Sequence, residues 1–244
     1  MLISKIEESL SMHYLYVNIL DRFSYWRFTM RLRTKPKALG TLKENQHIII
    51  FKPEENKGKW KDFFDNDHPL HIELGTGKGQ FIVENALRNP NINYIGIDSK
   101  NEVLYMALKK VLDKNVPNLA LLPFNIENIE EVFNTQEVDL LYINFCDPWP
   151  KSRHAKRRLT NLRFLEKYKL FLKEGAQIVF KTDNRPLFDY SIEEFKSGNF
   201  DIESITYDLA AQNDPQNIPT EYELKFMKKG VKINRLKARY NPHK

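Results

Sequence analysis

Short β-rich runs alternate with longer stretches of helical spacing from Leu70 onward, and this alternation constrains the fold more than any other feature. Such a pattern is typical of a parallel sheet with crossover helices. The predicted strands are Leu70–Leu74, Tyr94–Ile97, Leu119–Pro123, Val138–Phe145 and Gln177–Lys181, and the predicted helices are Phe81–Arg88, Lys100–Leu112, Glu127–Phe133 and Asn161–Leu172. Right-handed connections produce a doubly wound α/β sheet. Ligands of such sheets bind beyond the carboxyl ends of the strands, so the residues that follow each strand are the functional candidates.

Charge and cysteine content limit the partners and the compartment. Lys and Arg number 38 against 32 Asp and Glu, a net charge of +6, which is compatible with a polyanionic partner but does not require one. Cys146 is the only cysteine, so an intramolecular disulfide and a cysteine-cluster metal site are excluded. The apolar runs are far shorter than the ~20 residues of a membrane span, and the first residues do not have the pattern of a secretory leader. We therefore expect a cytoplasmic protein without a membrane-spanning segment.

A glycine-rich turn follows the first predicted strand and precedes a helix. Its glycines are Gly75, Gly77 and Gly79, and Gln80 stands where a dinucleotide-binding turn would have its third glycine. This spacing, preceded by Glu73, resembles the first motif of class I methyltransferases. Carboxylates near the turn suit the sulfonium and ammonium of S-adenosylmethionine better than a pyrophosphate.

Two further residues follow strands at the same edge. Asp98 ends the second strand, where an acid can accept hydrogen bonds from both hydroxyls of a ribose, as it also does in NAD enzymes. Asn125 follows the third strand, where its amide can meet an adenine edge, although an ordinary loop residue is an equal alternative.

The fourth strand leads into the run Asn144 to Lys151, which contains two prolines. Because proline cannot continue a central strand, we expect a rigid loop at the ligand edge. It presents Asp147, Trp149 and Lys151, which are suited to orient a purine, stack on it and meet a phosphate. Cationic residues follow at once and suit phosphate neutralisation, with a solvated helix start as the alternative: Arg153, His154, Lys156, Arg157 and Arg158.

Acidic residues recur later in the chain. Asp183 follows the fifth strand, at the same edge of the sheet. The group Thr220, Glu221, Tyr222 and Glu223 precedes an alternating apolar run, Leu224 to Met227. Acids at a turn are usually solvated, so these residues alone indicate little.

Taken in order along the chain, these motifs resemble the bacterial tRNA (guanine-N7)-methyltransferases. The resemblance covers roughly residues 30 to 240, and its most specific parts are Asp-Pro-Trp-Pro-Lys and the late Thr-x-Tyr-Glu. It implies a Rossmann-like, mostly parallel sheet of seven strands with helices on both faces, and a product with 7-methylguanosine in the variable loop of tRNA. S-adenosylmethionine would be bound by Glu73, Gly75, Gly77, Gly79, Asp98, Asn125 and Asp147, with Asp147 also catalytic and no metal involved.

The resemblance also assigns the RNA side of the site. Substrate contacts would come from Lys151, Asp183, Thr220, Glu221, Tyr222 and Glu223, and further RNA contacts from Arg153, His154, Lys156, Arg157 and Arg158. Two departures are Asp98, where the family often has Glu, and Cys146, where Ser is usual.

The resemblance begins near Met30 to Arg33, so the domain division follows from it. We expect an extension of unknown role over residues 1–29, a basic arm and lead-in over 30–69, and a methyltransferase domain over 70–244. A methyltransferase for a small molecule or another RNA, and a non-catalytic RNA-binding protein on the same fold, remain the alternatives. Monomer and homodimer are both left open.

Overall fold

Residues 38–243 are described by a computed structural model, so the predicted extension over 1–29 and the basic run Arg31–Lys37 lie outside the described residues. The helices are α1 (Ala38–Glu44), α2 (Trp60–Phe64), α3 (Gln80–Arg88), α4 (Asn101–Lys114), α5 (Leu162–Lys169), α6 (Arg185–Ser197) and α7 (Glu221–Met227). The strands are β1 (Leu70–Leu74), β2 (Asn93–Asp98), β3 (Leu119–Pro123), β4 (Val138–Asn144), β5 (Leu172–Thr182), β6 (Asp201–Thr206) and β7 (Asn234–Arg239). Short 3-10 helices lie at Pro53–Asn56, Ile126–Glu131, Ser152–Arg157 and Ala210–Gln212.

These strands form one sheet in the order β3-β2-β1-β4-β5-β7-β6. The first five are parallel, whereas β7 runs antiparallel between β5 and β6. The predicted doubly wound, mostly parallel, seven-stranded sheet is therefore confirmed. The strand order reverses between β1 and β4, which places a ligand crevice at their carboxyl ends.

Helices cover both faces of the sheet. On one face, α5 and α6 contribute buried Phe164, Tyr168 and Phe188 to a cluster with strand residues such as Ile72 and Leu141. The other face is covered by α1, α3 and α4, whose buried residues include Leu42, Ile82, Leu104 and Leu108. Burial of alternate strand residues on each face supplies the main free energy of folding.

Several predicted element bounds were wrong. The predicted helix Glu127–Phe133 is a 3-10 helix, Ile126–Glu131, with a kink at Asn128. The helix predicted to reach Leu172 ends at Lys169, because Leu172 already pairs with β4 as the first residue of β5.

Two local patterns also proved misleading. The predicted fourth strand ends one residue early, because Phe145 has a φ of 50°. The alternating run Leu224 to Met227 lies in helix α7, which a capped first turn starts at Glu221.

In the part of the chain that the structure describes, every helix is too short or too polar to cross a membrane.

Candidate functional site

Side chains on or just after five neighbouring strands lie at the carboxyl edge of the sheet. Glu73, Asp98 and Asn144 lie in the last two residues of β1, β2 and β4, and Asn125 and Asp183 follow β3 and β5. The strands are parallel and in register, so these residues share one rim. The topology thus brings together residues that are far apart in the sequence.

The glycine turn folds back against β2. Gly75 and Thr76 donate backbone hydrogen bonds to the Ile97 carbonyl, at 2.8 and 3.0 Å. Gly79 has a φ of 75°, and a Cβ there would lie 2.6 Å from the Ala107 Cβ, so this glycine allows the turn to pack against α4. Gly75 also has positive φ, but a Cβ there would meet no atom within 4 Å, so its outer side is an open cradle. Gly79 is therefore required for packing, whereas Gly75 leaves open space beside the turn.

Glu73 joins the turn to β4 from a buried position. Its side chain accepts hydrogen bonds from Thr76 Oγ1 at 2.6 Å and from Asn144 Nδ2 at 2.9 Å. The residue is only 2% exposed, and burial raises the pKa of its carboxyl group to about 7. Among the described residues, Asn144 Oδ1 is buried without a hydrogen-bond partner. This pair gives the crevice both an acid and an unsatisfied acceptor.

Asp98 and Asn125 hold the backbone of the same rim. Asp98 accepts hydrogen bonds from the backbone N–H groups of Gly77 at 3.1 Å and Lys100 at 3.0 Å, while burial raises its pKa. Asn125 is exposed, and its side-chain oxygen caps the following 3-10 helix by accepting from Glu127 N at 3.1 Å. That cap uses only the side-chain oxygen and does not involve the Nδ2 donor of Asn125.

The loop after β4 has an unusual backbone. Phe145 and Trp149 have φ values of 50° and 41°, a left-handed conformation that costs a non-glycine residue roughly 1–2 kcal/mol. Phe145 N donates to the Lys181 carbonyl at 2.9 Å, which fixes the loop to β5. Between them, Asp147 is exposed at the rim. Such stored strain is common where a loop must hold a side chain in a defined position.

The cationic residues from Lys151 to Arg158, called the basic segment here, have two roles. Arg158 donates from Nε to the Pro148 carbonyl at 3.1 Å and from Nη2 to the Trp149 carbonyl at 3.0 Å, and its guanidinium lies 4.2 Å from the Tyr190 ring centroid. Arg158 therefore stabilises the backbone of the Asp147 loop. Arg157 stacks over Trp149 at 4.8 Å. The remaining members are exposed or half-buried beside them: Lys151, Arg153, His154 and Lys156.

Thr220 and Glu223 form a capping box that starts α7. Glu223 N donates to Thr220 Oγ1 at 2.9 Å, and Thr220 N donates to the Glu223 carboxylate at 3.4 Å. The same carboxylate accepts from Lys181 Nζ at 3.1 Å and from Asn217 Nδ2 at 2.7 Å. Lys181 and Glu223 are 3% and 1% exposed, and burial lowers the pKa of Lys181. The predicted substrate contact of Glu223 therefore competes with a buried ion pair that anchors α7.

Helix α7 also reaches the glycine turn. Glu221 pairs with Lys110 Nζ of α4 at 2.5 Å and with Lys78 Nζ of the turn at 3.5 Å. Tyr222, next along the helix, is exposed and stacks on Phe145. Asp183 is half-buried at the end of β5, and burial raises its pKa.

Sequence reasoning missed several residues of this rim. Thr76, Asn144 and Lys181 all lie inside motifs that were recognised, but their own side chains were given no role. Lys181 carried a signal, because a lysine inside a buried parallel strand requires a partner. For Lys78 and Lys110 the sequence gives no such signal, because their partner Glu221 lies more than a hundred positions away in the chain.

The rim is chemically suited to a cationic nucleoside ligand. It combines the buried Glu73, the half-buried Asp98, an unsatisfied amide oxygen and an open glycine cradle, and the Asp147 loop follows β4 at the same rim. Among residues 38–243 there is no group of three or more His, Cys, Asp or Glu side chains placed to hold a metal ion.

Comparisons with known proteins identify the relatives of this chain. A family model described as "Putative methyltransferase" matches residues 67–236. A tRNA (guanine-N(7)-)-methyltransferase of Streptococcus equi subsp. zooepidemicus is 49% identical over 211 residues, covering 86% of this chain and 100% of that relative. The protein of that name from Streptococcus mutans shares the same identity and coverage.

Solved structures resemble the fold at low identity. A 16S rRNA methyltransferase, KamB, superimposes with a TM-score of 0.58 at 13% identity, over 76% of this chain and 94% of its own. An antibiotic-related methyltransferase gives a TM-score of 0.57 at 20% identity, over 75% of this chain and 93% of its own. These likenesses concern the architecture alone.

Proposed function

Because this chain belongs to the family of tRNA (guanine-N(7)-)-methyltransferases, we propose that it transfers a methyl group from S-adenosylmethionine to N7 of a guanine in the variable loop of tRNA. The observation that carries the proposal on this chain's own residues is the buried Glu73–Asn144 pair at the β1–β4 crevice, beside the Asp147 loop. We expect the enzyme to act in the cytoplasm, where its proposed substrate is available.

The rim residues have defined tasks in this proposal. Glu73 and the glycine turn hold the amino-acid part of S-adenosylmethionine, Asp98 accepts from the ribose, and Asn125 meets the adenine. The carboxylates of the rim support this assignment, because they attract a sulfonium and an ammonium but would repel a pyrophosphate. Asn144 Oδ1, buried without a partner among the described residues, supplies one more acceptor.

When bound, S-adenosylmethionine supplies a methyl group whose carbon forms a bond to N7 while its bond to sulfur breaks and leaves the electron pair on sulfur. N7 has an in-plane lone pair and no proton to lose, so the protein contributes mainly alignment. Positive charge passes to the purine as the bond forms. Asp147 at the guanine edge therefore attracts the transition state more strongly than the ground state.

Other residues support that alignment. Arg158 and the strained backbone at Phe145 hold Asp147 in place. Asp183 assists from the end of β5, and Glu223 assists by holding α7 through Lys181. The exposed members of the basic segment neutralise phosphates: Lys151, Arg153, Lys156 and Arg157.

The decisive experiment is methyl transfer from labelled S-adenosylmethionine to unmodified tRNA, followed by nucleoside analysis. The wild-type protein is expected to produce labelled 7-methylguanosine. Asp147→Asn is expected to bind the donor in calorimetry but to lose about a hundredfold or more in turnover. Asp113→Asn, an exposed change at the far end of α4, is the matched control and should leave turnover unchanged.

Other outcomes would contradict defined parts of the proposal. Label in a different base would disprove the target, and transfer only to a small molecule, without salt dependence, would disprove the RNA substrate. Failure to bind the donor would favour a non-catalytic RNA-binding protein. Near-normal turnover of Asp147→Asn would disprove the electrostatic role.

A further inference from the structure

Three aromatic rings, of which one is exposed and two are half-buried, form a cluster at the Asp147 loop. Phe145, Tyr222 and Phe226 have pairwise ring-centroid distances of 6.1 to 6.4 Å and interplanar angles of 15 to 24°. Tyr222 and Phe226 are four residues apart on α7, so they share one helix face. Phe145 comes from the loop after β4. The proposed function assigns no role to Phe145 or Phe226.

The chain neighbours of the cluster belong to the candidate site. Phe145 follows Asn144, which bonds to Glu73, and precedes Asp147 by two residues. On the other side, Tyr222 follows Glu221, whose carboxylate pairs with Lys78 of the glycine turn at 3.5 Å. The rings therefore adjoin, through their chain neighbours, both the Glu73–Asn144 pair and the glycine turn.

The rings are held firmly but are not buried. The capping box and the Lys181–Glu223 ion pair anchor α7, and the bond from Phe145 N to β5 anchors the loop. Tyr222 nevertheless remains 60% exposed, and its helix neighbours Leu224 and Met227 are exposed as well. Exposed large apolar side chains grouped beside a polar crevice mark a binding surface more often than a packing defect.

We propose that Phe145, Tyr222 and Phe226 form the platform on which the target guanine stacks during methyl transfer; this inference rests on the proposed function. Unpaired RNA bases are commonly recognised by stacking on aromatic side chains, with hydrogen bonds to their edges. Asp147 supplies the edge contact, and the near-parallel rings supply the face. Basic residues of the neighbouring segment meet the phosphates on either side.

The chemistry of N7 strengthens the case for an aromatic surface. Methylation leaves the purine ring positively charged, and aromatic faces attract cations through their ring quadrupole. The platform therefore stabilises the charge that develops during transfer as well as the bound base. Its loss should lower kcat in addition to raising KM for tRNA.

The test uses the full chain with Tyr222→Leu and Phe226→Leu, and Tyr222→Phe as the variant that keeps the ring. Rates of 7-methylguanosine formation are measured against tRNA concentration at saturating donor, and donor affinity is measured by calorimetry. Both leucine variants are expected to lose about tenfold to a hundredfold in kcat/KM for tRNA, with donor affinity unchanged. Tyr222→Phe should recover most of that loss.

Tyr207→Leu is the matched control. Tyr207 is also exposed, at 42%, but the Arg185 guanidinium lies 4.0 Å from its ring centroid, so one face is already occupied. Wild-type kcat/KM is expected for this variant.

Two results would overturn the platform while leaving the proposed function intact. One is wild-type kcat/KM in both leucine variants, and the other is an equal loss of donor affinity, which indicates a structural role. If the wild-type protein forms no 7-methylguanosine, both the proposed function and the platform are wrong.

Discussion

Replacement of Glu73 by glutamine should change how the stability of the protein depends on pH. Burial raises the pKa of this carboxyl group from 4.5 to about 7, so between these values the folded state binds more protons than the unfolded state. The free energy of unfolding therefore falls as the pH rises through this window. At 1.36 kcal/mol per unit, the loss amounts to about 3 kcal/mol.

Glutamine stays neutral and keeps the local hydrogen bonds. The Thr76 hydroxyl can accept as well as donate, and the Asn144 amide can turn its Oδ1 toward the new amide group. The variant should therefore be more stable than the wild type at pH 8, by up to about 3 kcal/mol. The gap should close as the pH falls toward 5.

His71 also contributes to the pH dependence of stability, and its contribution to the slope of unfolding free energy against pH has the opposite sign. Burial lowers its pKa from 6.5 to about 4, so the folded state binds fewer protons in this window, and stability is lost as the pH falls through it. In the wild type the two slopes nearly cancel between about pH 4.5 and 6.5. Glu73→Gln removes one of them, so its stability should rise with pH up to about 6.5 and then level off.

Urea unfolding followed by tryptophan fluorescence at pH 5, 6, 7 and 8 measures these curves. Glu131→Gln, at an exposed carboxylate, is the control and should follow the wild type. Parallel curves for the wild type and Glu73→Gln would refute the reasoning. Calorimetry should show that Glu73→Gln, although more stable, binds S-adenosylmethionine more weakly than the wild type. In the wild type the bound cation stabilises the buried Glu73 carboxylate, and glutamine has no charge to contribute to this attraction.

Three further changes test the packing and the charges around the site. Gly79→Ala should lower the free energy of unfolding by about 2–4 kcal/mol in urea titrations, because of its positive φ and the contact with α4 at 2.6 Å, and a wild-type midpoint would contradict this. Arg158→Met should reduce turnover without changing the salt dependence of tRNA binding, because Arg158 supports the Asp147 loop. Arg153→Met should instead reduce the slope of log affinity against log salt by about 1, because Arg153 neutralises a phosphate. The reverse pattern would refute these two roles. Lys181→Met should lower the free energy of unfolding by about 3–5 kcal/mol, because it leaves the Glu223 carboxylate buried without its cation. Adding Glu223→Gln should recover part of this loss in the same unfolding assay. Strictly additive losses would disprove the coupling of the two residues.

The periodic pattern was sufficient to predict the strands that build the site. β1 and β3 have the predicted bounds, and the sheet has the predicted winding, because buried parallel strands form apolar runs that differ clearly from amphipathic helices. Those strands fix the rim, so Glu73 and Asp98 could be placed at one edge from sequence alone.

Pairings between distant residues could not be predicted in this way. The ion pair of Lys181 with Glu223 depends on how α7 folds back over β5, which no local pattern encodes. Arg158 was grouped with its cationic neighbours, yet the direction of its side chain is set by the carbonyls of the strained loop. Charge alone does not distinguish an arginine that contacts a phosphate from one that supports a backbone.

The position of β7 has a consequence for the order of assembly. β6 precedes β7 in the chain but reaches the sheet only through it, since β7 lies between β5 and β6. During synthesis β6 must therefore wait, unpaired, until the following strand emerges and inserts beside β5. Helix α7 belongs to the connection between them, so the segment that carries Tyr222 and Phe226 would be among the last to reach its place, and a nascent chain would form the glycine turn and the Asp147 loop before the aromatic cluster is complete.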